Sequence, residues 1–201
     1  MYRDLKMEDY RYSTDFDDSG ETETLQSVFL VNQDEKFPWK GKTRTVKIST
    51  TGRKLPYTVW LQERRAPLVY FIPGIGGHRR GDAALGVAAE IYRNGNSVVT
   101  ISNPLNHEFI GSASSVAFPG FAPVDAHDAH VALDAVDRDI QKRFPGRFTD
   151  GRRLVGISLG AMHVLFIAAA EGETNEGLIS FDKYVALNAP VDYEYAVQKL
   201  D

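Results

Sequence analysis

The chain has 201 residues, 43% of them hydrophobic and 25% charged, with a formal net charge of −4 and no cysteine. That length and balance suit one soluble globular domain able to bury a substantial core. The charge leaves no electrostatic footprint for nucleic acid. No apolar run is long enough to span a membrane, and the missing cysteine excludes disulfides, thiolate metal sites and a cysteine nucleophile.

Residues 1–24 are rich in Asp and Glu and poor in aliphatics, which predicts an acidic flexible tail or edge extension ahead of a single domain over 25–201. Met1–Gly20 has no apolar central run of the kind a secretory signal needs, so a cytoplasmic location is favoured, although a signal removed from the chain would leave no trace. Leu25–Asn32 is a short apolar run that predicts a strand. Arg44–Thr50 alternates, with Val46 and Ile48 on one face, and Tyr57–Glu63 does the same with Tyr57, Val59 and Leu61. The gaps between these three segments are too short for helical crossovers, so they are expected to pair antiparallel.

The pattern changes at Leu68–Ile72 (LVYFI), a continuous apolar run of the kind found in strands buried on both faces. Asp82 is placed to cap a helix running to about Asn94 and stopped by Gly95, and Ser97–Ser102 is the next expected strand. A long loop over 103–124 follows. A helix capped by Asp125 then carries the apolar stripe Ala129, Leu133, Val136 and Ile140, and ends at Pro145-Gly146. Arg153–Ile157 reads as a strand, Leu159–Glu171 as a helix apolar almost all round and therefore buried, and Tyr184–Leu187 as the last strand. From residue 67 strands and helices alternate, so the expected class is α/β: a mostly parallel sheet with helices on both faces and an antiparallel start.

Chemistry enters at Gly156-Ile-Ser158-Leu-Gly160, a G-x-S-x-G placed where an apolar strand meets an apolar helix. A serine on a tight strand-to-helix turn brings its neighbours at −2 and +2 against adjacent backbone, where a Cβ would clash. The same turn puts Ser158 at a helix N-terminus, whose amides and dipole favour a developing oxyanion. A second donor segment is expected after an earlier strand. Pro73-Gly74-Ile75-Gly76-Gly77-His78 directly follows LVYFI, and its three glycines permit close backbone approach to a ligand. The amides of Ile75 and Leu159 are therefore the expected oxyanion donors, with Gly74, Gly76, Gly77 and His78 lining the pocket. A nucleotide-binding loop is disfavoured because Arg79 stands where the third glycine of G-x-G-x-x-G belongs, and no Gly-Lys-Ser/Thr follows.

Together F-I-P-G-I-G-G-H and V-G-I-S-L-G-A resemble the α/β-hydrolase fold family, over roughly residues 44–192. Proline at position 73, where the family commonly has histidine, is a departure that leaves the amide donors intact. The resemblance implies hydrolysis of an ester, thioester or amide through an acyl-enzyme on Ser158, a small-molecule acyl substrate and no cofactor. It also implies a triad in the chain order Ser, Asp or Glu, then His. No histidine follows His163, so the chain is expected to be the N-terminal portion of a longer hydrolase, completed by an acid (Asp192 is one candidate) and a histidine not seen here.

The other histidines are weaker candidates. His163, about 7.5 Å along its helix from Ser158, reads as a core residue. His78 follows the glycine loop and is a minor candidate for the base. His127 and His130 share a helix face at i, i+3, so a metal site is conceivable, but a third ligand is lacking; otherwise they edge the pocket. Phe109, Phe118 and Phe121 in the long loop are candidates for an apolar substrate wall. Two rival readings stay open: a non-catalytic module on the same fold, and a metal-dependent hydrolase built on His127 and His130.

Overall fold

A computed structural model describes residues 36–173 and 177–190, Glu173 by its backbone alone. The acidic tail, the expected strand Leu25–Asn32 and Asp192 lie outside the described residues. Among the described residues eleven elements follow one another: α1 (Phe37–Lys40), β1 (Lys42–Lys47), β2 (Lys54–Trp60), β3 (Ala66–Ile72), α2 (Asp82–Arg93), β4 (Ser97–Thr100), α3 (His107–Ile110), α4 (Ala122–Arg143), β5 (Phe148–Ile157), α5 (Leu159–Glu173) and β6 (Lys183–Leu187). The six strands form one sheet in the order β1-β2-β4-β3-β5-β6. β1 pairs antiparallel with β2 and β2 with β4, whereas the β4–β3, β3–β5 and β5–β6 pairs are parallel. The expected α/β class, with an antiparallel start on a mostly parallel sheet, is what the chain adopts.

The alternation of side chains along each strand divides the core in two. Leu68, Tyr70, Ile72, Val99 and Leu154 point to one face, where they pack with Ala129, Leu133, Val136 and Ile140 of α4 and Val164 and Ile167 of α5. Val69, Phe71 and Val155 point to the other, against Ala84 of α2, beside a cluster of Phe37, Trp60, Leu85, Ala88 and Val98. A strand covered on both faces gains from an apolar residue at every position, which is why LVYFI shows no alternation.

Several boundaries differ from expectation. Asp82 does not cap α2; Gly81 holds the N-cap position and Asp82 is the first helical residue, where its charge favours the helix N-terminus. α4 begins at Ala122, before Asp125, because Pro123 is well suited to the first helical turn. The Asp125 carboxylate instead accepts the Gly120 amide at 2.9 Å. The 103–124 loop contains the short helix α3, capped by the Asn106 side chain, which accepts the Glu108 amide. β5 starts at Phe148 rather than Arg153, its register with β3 shifting between Ala66 and Leu68. α5 is not buried all round: Leu165 is 51% exposed and Phe166 38%, since only one side of the helix meets the sheet and α4.

Candidate active site

β5 ends at Ile157 and α5 starts at Leu159, leaving Ser158 alone to turn the chain. It does so with φ at 53°, in the left-handed region that costs a side-chain-bearing residue about 1–2 kcal/mol. The surroundings hold it there. The Ser158 amide donates to the Leu187 carbonyl at the end of β6 at 2.8 Å, and the Ser158 carbonyl accepts from the amides of Ala161 and Met162 at 2.9 and 3.2 Å.

The flanking glycines are required by contact. A Cβ on Gly156 would stand 2.4 Å from the Gly160 carbonyl oxygen, and one on Gly160 would stand 2.3 Å from the Ile72 oxygen and 2.4 Å from that of Pro73. The turn is thus wedged against the end of β3, where the second glycine segment begins. A Cβ on Gly74 would lie 3.3 Å from Ser158 Cβ and 3.8 Å from its Oγ. Two segments distant in sequence therefore meet at the hydroxyl.

The Pro73–Arg80 loop is tied down carbonyl by carbonyl. Gly77 donates its amide to the Gly74 carbonyl at 2.9 Å, closing a turn in which Gly76 has φ +60°. Asn103 Nδ2 donates to Pro73 O at 2.8 Å, the Asn103 amide to Gly77 O at 2.9 Å, and Asn106 Nδ2 to Gly76 O at 2.7 Å. Thr100 Oγ1 donates to Arg79 O at 2.9 Å, while Ser102 Oγ accepts the Arg79 amide at 3.0 Å. Ile75, between these anchored residues, is 52% exposed. Leu159, as the first residue of α5, has no earlier helical carbonyl to donate to.

Beneath the loop lies a charged cluster centred on Glu108. Its carboxylate accepts from the Arg79 guanidinium, from Ser102 Oγ at 2.7 Å and from His78 Nε2 at 3.3 Å. Burial pushes the Glu108 carboxyl up, but the hydrogen bonds from Arg79 and Ser102 and the charge of Arg79 outweigh it and hold the group below the usual range. His78 Nδ1 accepts the Arg80 amide at 3.1 Å, so both ring nitrogens are committed to the loop rather than to Ser158. Sequence reasoning missed Asn103, Asn106 and Glu108. The signal available was local: Asn103 Oδ1 accepts the Leu105 amide at 2.9 Å, and Asn106 caps α3, both common uses of Asn in loops.

Next to Leu159 opens a cavity of about 350 Å³ between the 120–125 segment and α5. Leu159, Met162, His163 and Phe166, spaced i, i+3, i+4 and i+7, form its α5 wall; Phe121, Pro123 and Asp125 face them, with Leu105 at the edge. The wall is predominantly apolar. Burial pushes the Asp125 carboxyl up, partly offset by the bond from the Gly120 amide. Burial alone brings the His163 imidazole down to about 4, so it is neutral near pH 7.

No protein-family model matches the sequence, and no curated protein matches it. Solved structures do. The esterase Pf2001 of Pyrococcus furiosus superposes with a TM-score of 0.58 over 84% of this chain and 61% of its own, at 15% identity. Brefeldin A esterase, a bacterial homologue of human hormone sensitive lipase, superposes with a TM-score of 0.55 over 80% of this chain and 44% of its own, at 16% identity. The BES protein from Bacillus cereus gives 0.51 over 80% of this chain and 65% of its own, at 15% identity. At such identities the likeness is one of fold. The chain has part of the α/β-hydrolase fold. It spans from 44% to 65% of the length of these three structures.

Within this α/β-hydrolase fold the remaining sequence candidates are scattered. His127 is exposed, whereas His130 is buried and its Nε2 donates to the Ile179 carbonyl at 2.7 Å. Neither histidine edges the cavity, and among the described residues no group of three or more His, Asp or Glu is placed to hold a metal ion. Of the three loop phenylalanines only Phe121 lines the cavity; Phe109 is fully buried in the core and Phe118 is 93% exposed. His163 is buried as expected, and it also forms part of the cavity wall. Among the described residues no helix is long and apolar enough to cross a membrane.

Proposed function

We propose that this chain carries the nucleophile and oxyanion half of a serine hydrolase that cleaves carboxylic esters or related acyl compounds. Ser158 Oγ attacks the acyl carbonyl carbon and its proton passes to a general base. The carbonyl oxygen takes up the negative charge and accepts hydrogen bonds from the amides of Ile75 and Leu159. The intermediate then collapses, expelling the alcohol with that proton and leaving the acyl group on Ser158, and water releases it by the same steps in reverse roles. One observation carries this reading: a left-handed serine at a helix N-terminus, packed against Gly74 of a separately anchored loop. The esterase neighbours agree at the level of fold.

Among the described residues no histidine is placed as that base. His78 is committed to the Glu108 cluster, His130 to Ile179, and His163 makes no hydrogen bond; nor does any described side chain bond Ser158 Oγ. Asp192 remains the candidate acid. Hydrolysis of short- and medium-chain p-nitrophenyl esters by the full-length protein tests the proposal. Activity abolished by Ser158→Ala is expected, whereas activity unchanged in that variant defeats it. A folded full-length protein inert to every ester and to serine-directed inhibitors would favour a non-catalytic module.

A further inference from the structure

The two amides that would receive the oxyanion differ in how they are held. That of Leu159 is fixed by the first turn of α5. That of Ile75 lies in a segment, Gly74–Gly77, with glycine at three of its four positions, where the backbone has the most freedom to lose. Its direction follows from its own peptide group. The Gly74 carbonyl and the Ile75 N–H belong to one planar trans peptide, so they point in opposite directions. The Gly74 carbonyl accepts the Gly77 amide at 2.9 Å, inside a turn whose third residue, Gly76, is left-handed. The Ile75 N–H therefore faces away from the turn, and among the described residues no group accepts it. Whatever fixes Gly76 and Gly77 also fixes this donor.

Asn106 reaches that turn from outside. Its side chain is committed at both ends: Oδ1 accepts the Glu108 amide at 2.9 Å as the N-cap of α3, and Nδ2 donates to the Gly76 carbonyl at 2.7 Å. A carbonyl only accepts and a backbone N–H only donates, so the two partners leave one orientation for the side-chain amide. Asn106 is 6% exposed, whereas Gly76 lies at the surface, where water can satisfy its carbonyl without any help. The helix cap needs only an oxygen, which serine also supplies. The Nδ2 bond thus does nothing for α3; its effect is to hold Gly76 still. We propose that Asn106 is a positioning residue for the acylation of Ser158: by holding the Gly76 carbonyl it aims the Ile75 N–H at the oxyanion. The proposal rests on the reading of Ser158 as nucleophile and Ile75 as donor; the dependence on Asn106 goes beyond it.

The test compares Asn106→Ser with Asn106→Ala in the full-length protein. Serine keeps the capping oxygen and loses the donor; alanine loses both. Both variants should lose about 10–100-fold in kcat for p-nitrophenyl butyrate with KM nearly unchanged, short of the loss of about 10²–10³ that removing a donor outright causes. Only Asn106→Ala, which also loses the cap, should melt lower, by roughly 2–4 °C. The thiono analogue of the same ester, with C=S in place of C=O, supplies the second readout. Sulfur accepts hydrogen bonds weakly, so its hydrolysis gains less from the two amides, and the ratio of oxygen-ester to thionoester rates should fall in both variants. A purely structural role would lower both rates alike and leave that ratio unchanged. An Asn106→Ser protein as active as wild type, or an unchanged ratio, overturns the proposal. Labelling of wild-type Ser158 by a fluorophosphonate is read separately. Labelling with an unchanged ratio removes the role of Asn106 and keeps the nucleophile; no labelling removes both.

Discussion

Gly160→Ala is the most informative single substitution in the turn. The added Cβ would stand 2.3 Å from the Ile72 oxygen, 2.4 Å from the Pro73 oxygen and 2.9 Å from the Ile72 carbonyl carbon. Relief requires a movement of about 1 Å, since nonbonded heavy atoms settle near 3.5 Å. Neither neighbour yields easily. Ile72 is fully buried and paired with Gly156 in the sheet, and the Pro73 carbonyl is held by Asn103 Nδ2. Overpacking of this kind costs about 1–3 kcal/mol, a figure that includes no allowance for the better helix propensity of alanine. For a chain of this size the melting temperature should fall by roughly 2–4 °C for each kcal/mol lost. The displaced atoms begin the glycine loop, and a shift of about 1 Å there should slow Ser158 acylation by on the order of 10²-fold. Gly76→Ala is the control: nothing lies within 4 Å of its Cβ, and only the φ of +60° opposes it, at about 1 kcal/mol. Thermal unfolding and the rate of covalent inhibition, measured on both variants, decide the matter. A Gly160→Ala protein that melts and reacts like wild type would refute the wedge between the Ser158 turn and β3.

Other expectations follow from the same contacts. Asn103→Ala removes the donor to Pro73 O and the Asx turn at Leu105 while leaving the Ser158 turn untouched, so kcat/KM for ester hydrolysis should fall by at least tenfold with a loss of about 1–3 kcal/mol in stability by denaturant titration. His163 is neutral in the fold down to about pH 4 but ordinarily titrates near 6.5. The unfolded chain therefore takes up the proton first, and stability should decline by about 3 kcal/mol as pH falls from 6.5 to 4. Asp125 in the same cavity is shifted up and acts with the opposite sign, so the comparison is wild type against His163→Leu, whose stability should lack that decline. Where the part-exposed Arg152 meets buried Tyr70 and Asp137, Tyr70→Phe leaves the Asp137 carboxylate bonded to Arg152 at 2.8 and 2.9 Å and should cost about 1 kcal/mol; Arg152→Met strips the carboxylate of its cation and should cost more in the same unfolding assay.

What was legible in the sequence was whatever depends on apolar pattern and on glycine. LVYFI and the strands at Val98 and Leu154 announce a sheet covered on both faces, and G-x-S-x-G marks its turn because the steric demand falls on those glycines. Polar stretches concealed the rest. Residues 148–152 begin β5, but Thr149, Asp150 and Gly151 read as a loop, and Gly151 does adopt φ +91° where the register shifts. Pro123 read as part of a loop although it starts α4. The anchoring by Asn103, Asn106 and Glu108 has no periodicity to betray it, since each side chain reaches a group distant in sequence: the Pro73 carbonyl, the Gly76 carbonyl and the Arg79 guanidinium. α5 looked buried all round because a helical pattern reports apolarity without reporting what lies opposite; the cavity beside His163 exists because the 120–125 segment does not fill that side.

The account stands or falls on the reactivity of one hydroxyl. Full-length protein treated with a fluorophosphonate, digested and mapped by mass spectrometry should carry a single phosphonyl group on the peptide containing Ser158, with none after Ser158→Ala. Modification of a different residue, or none on a folded protein, would contradict it.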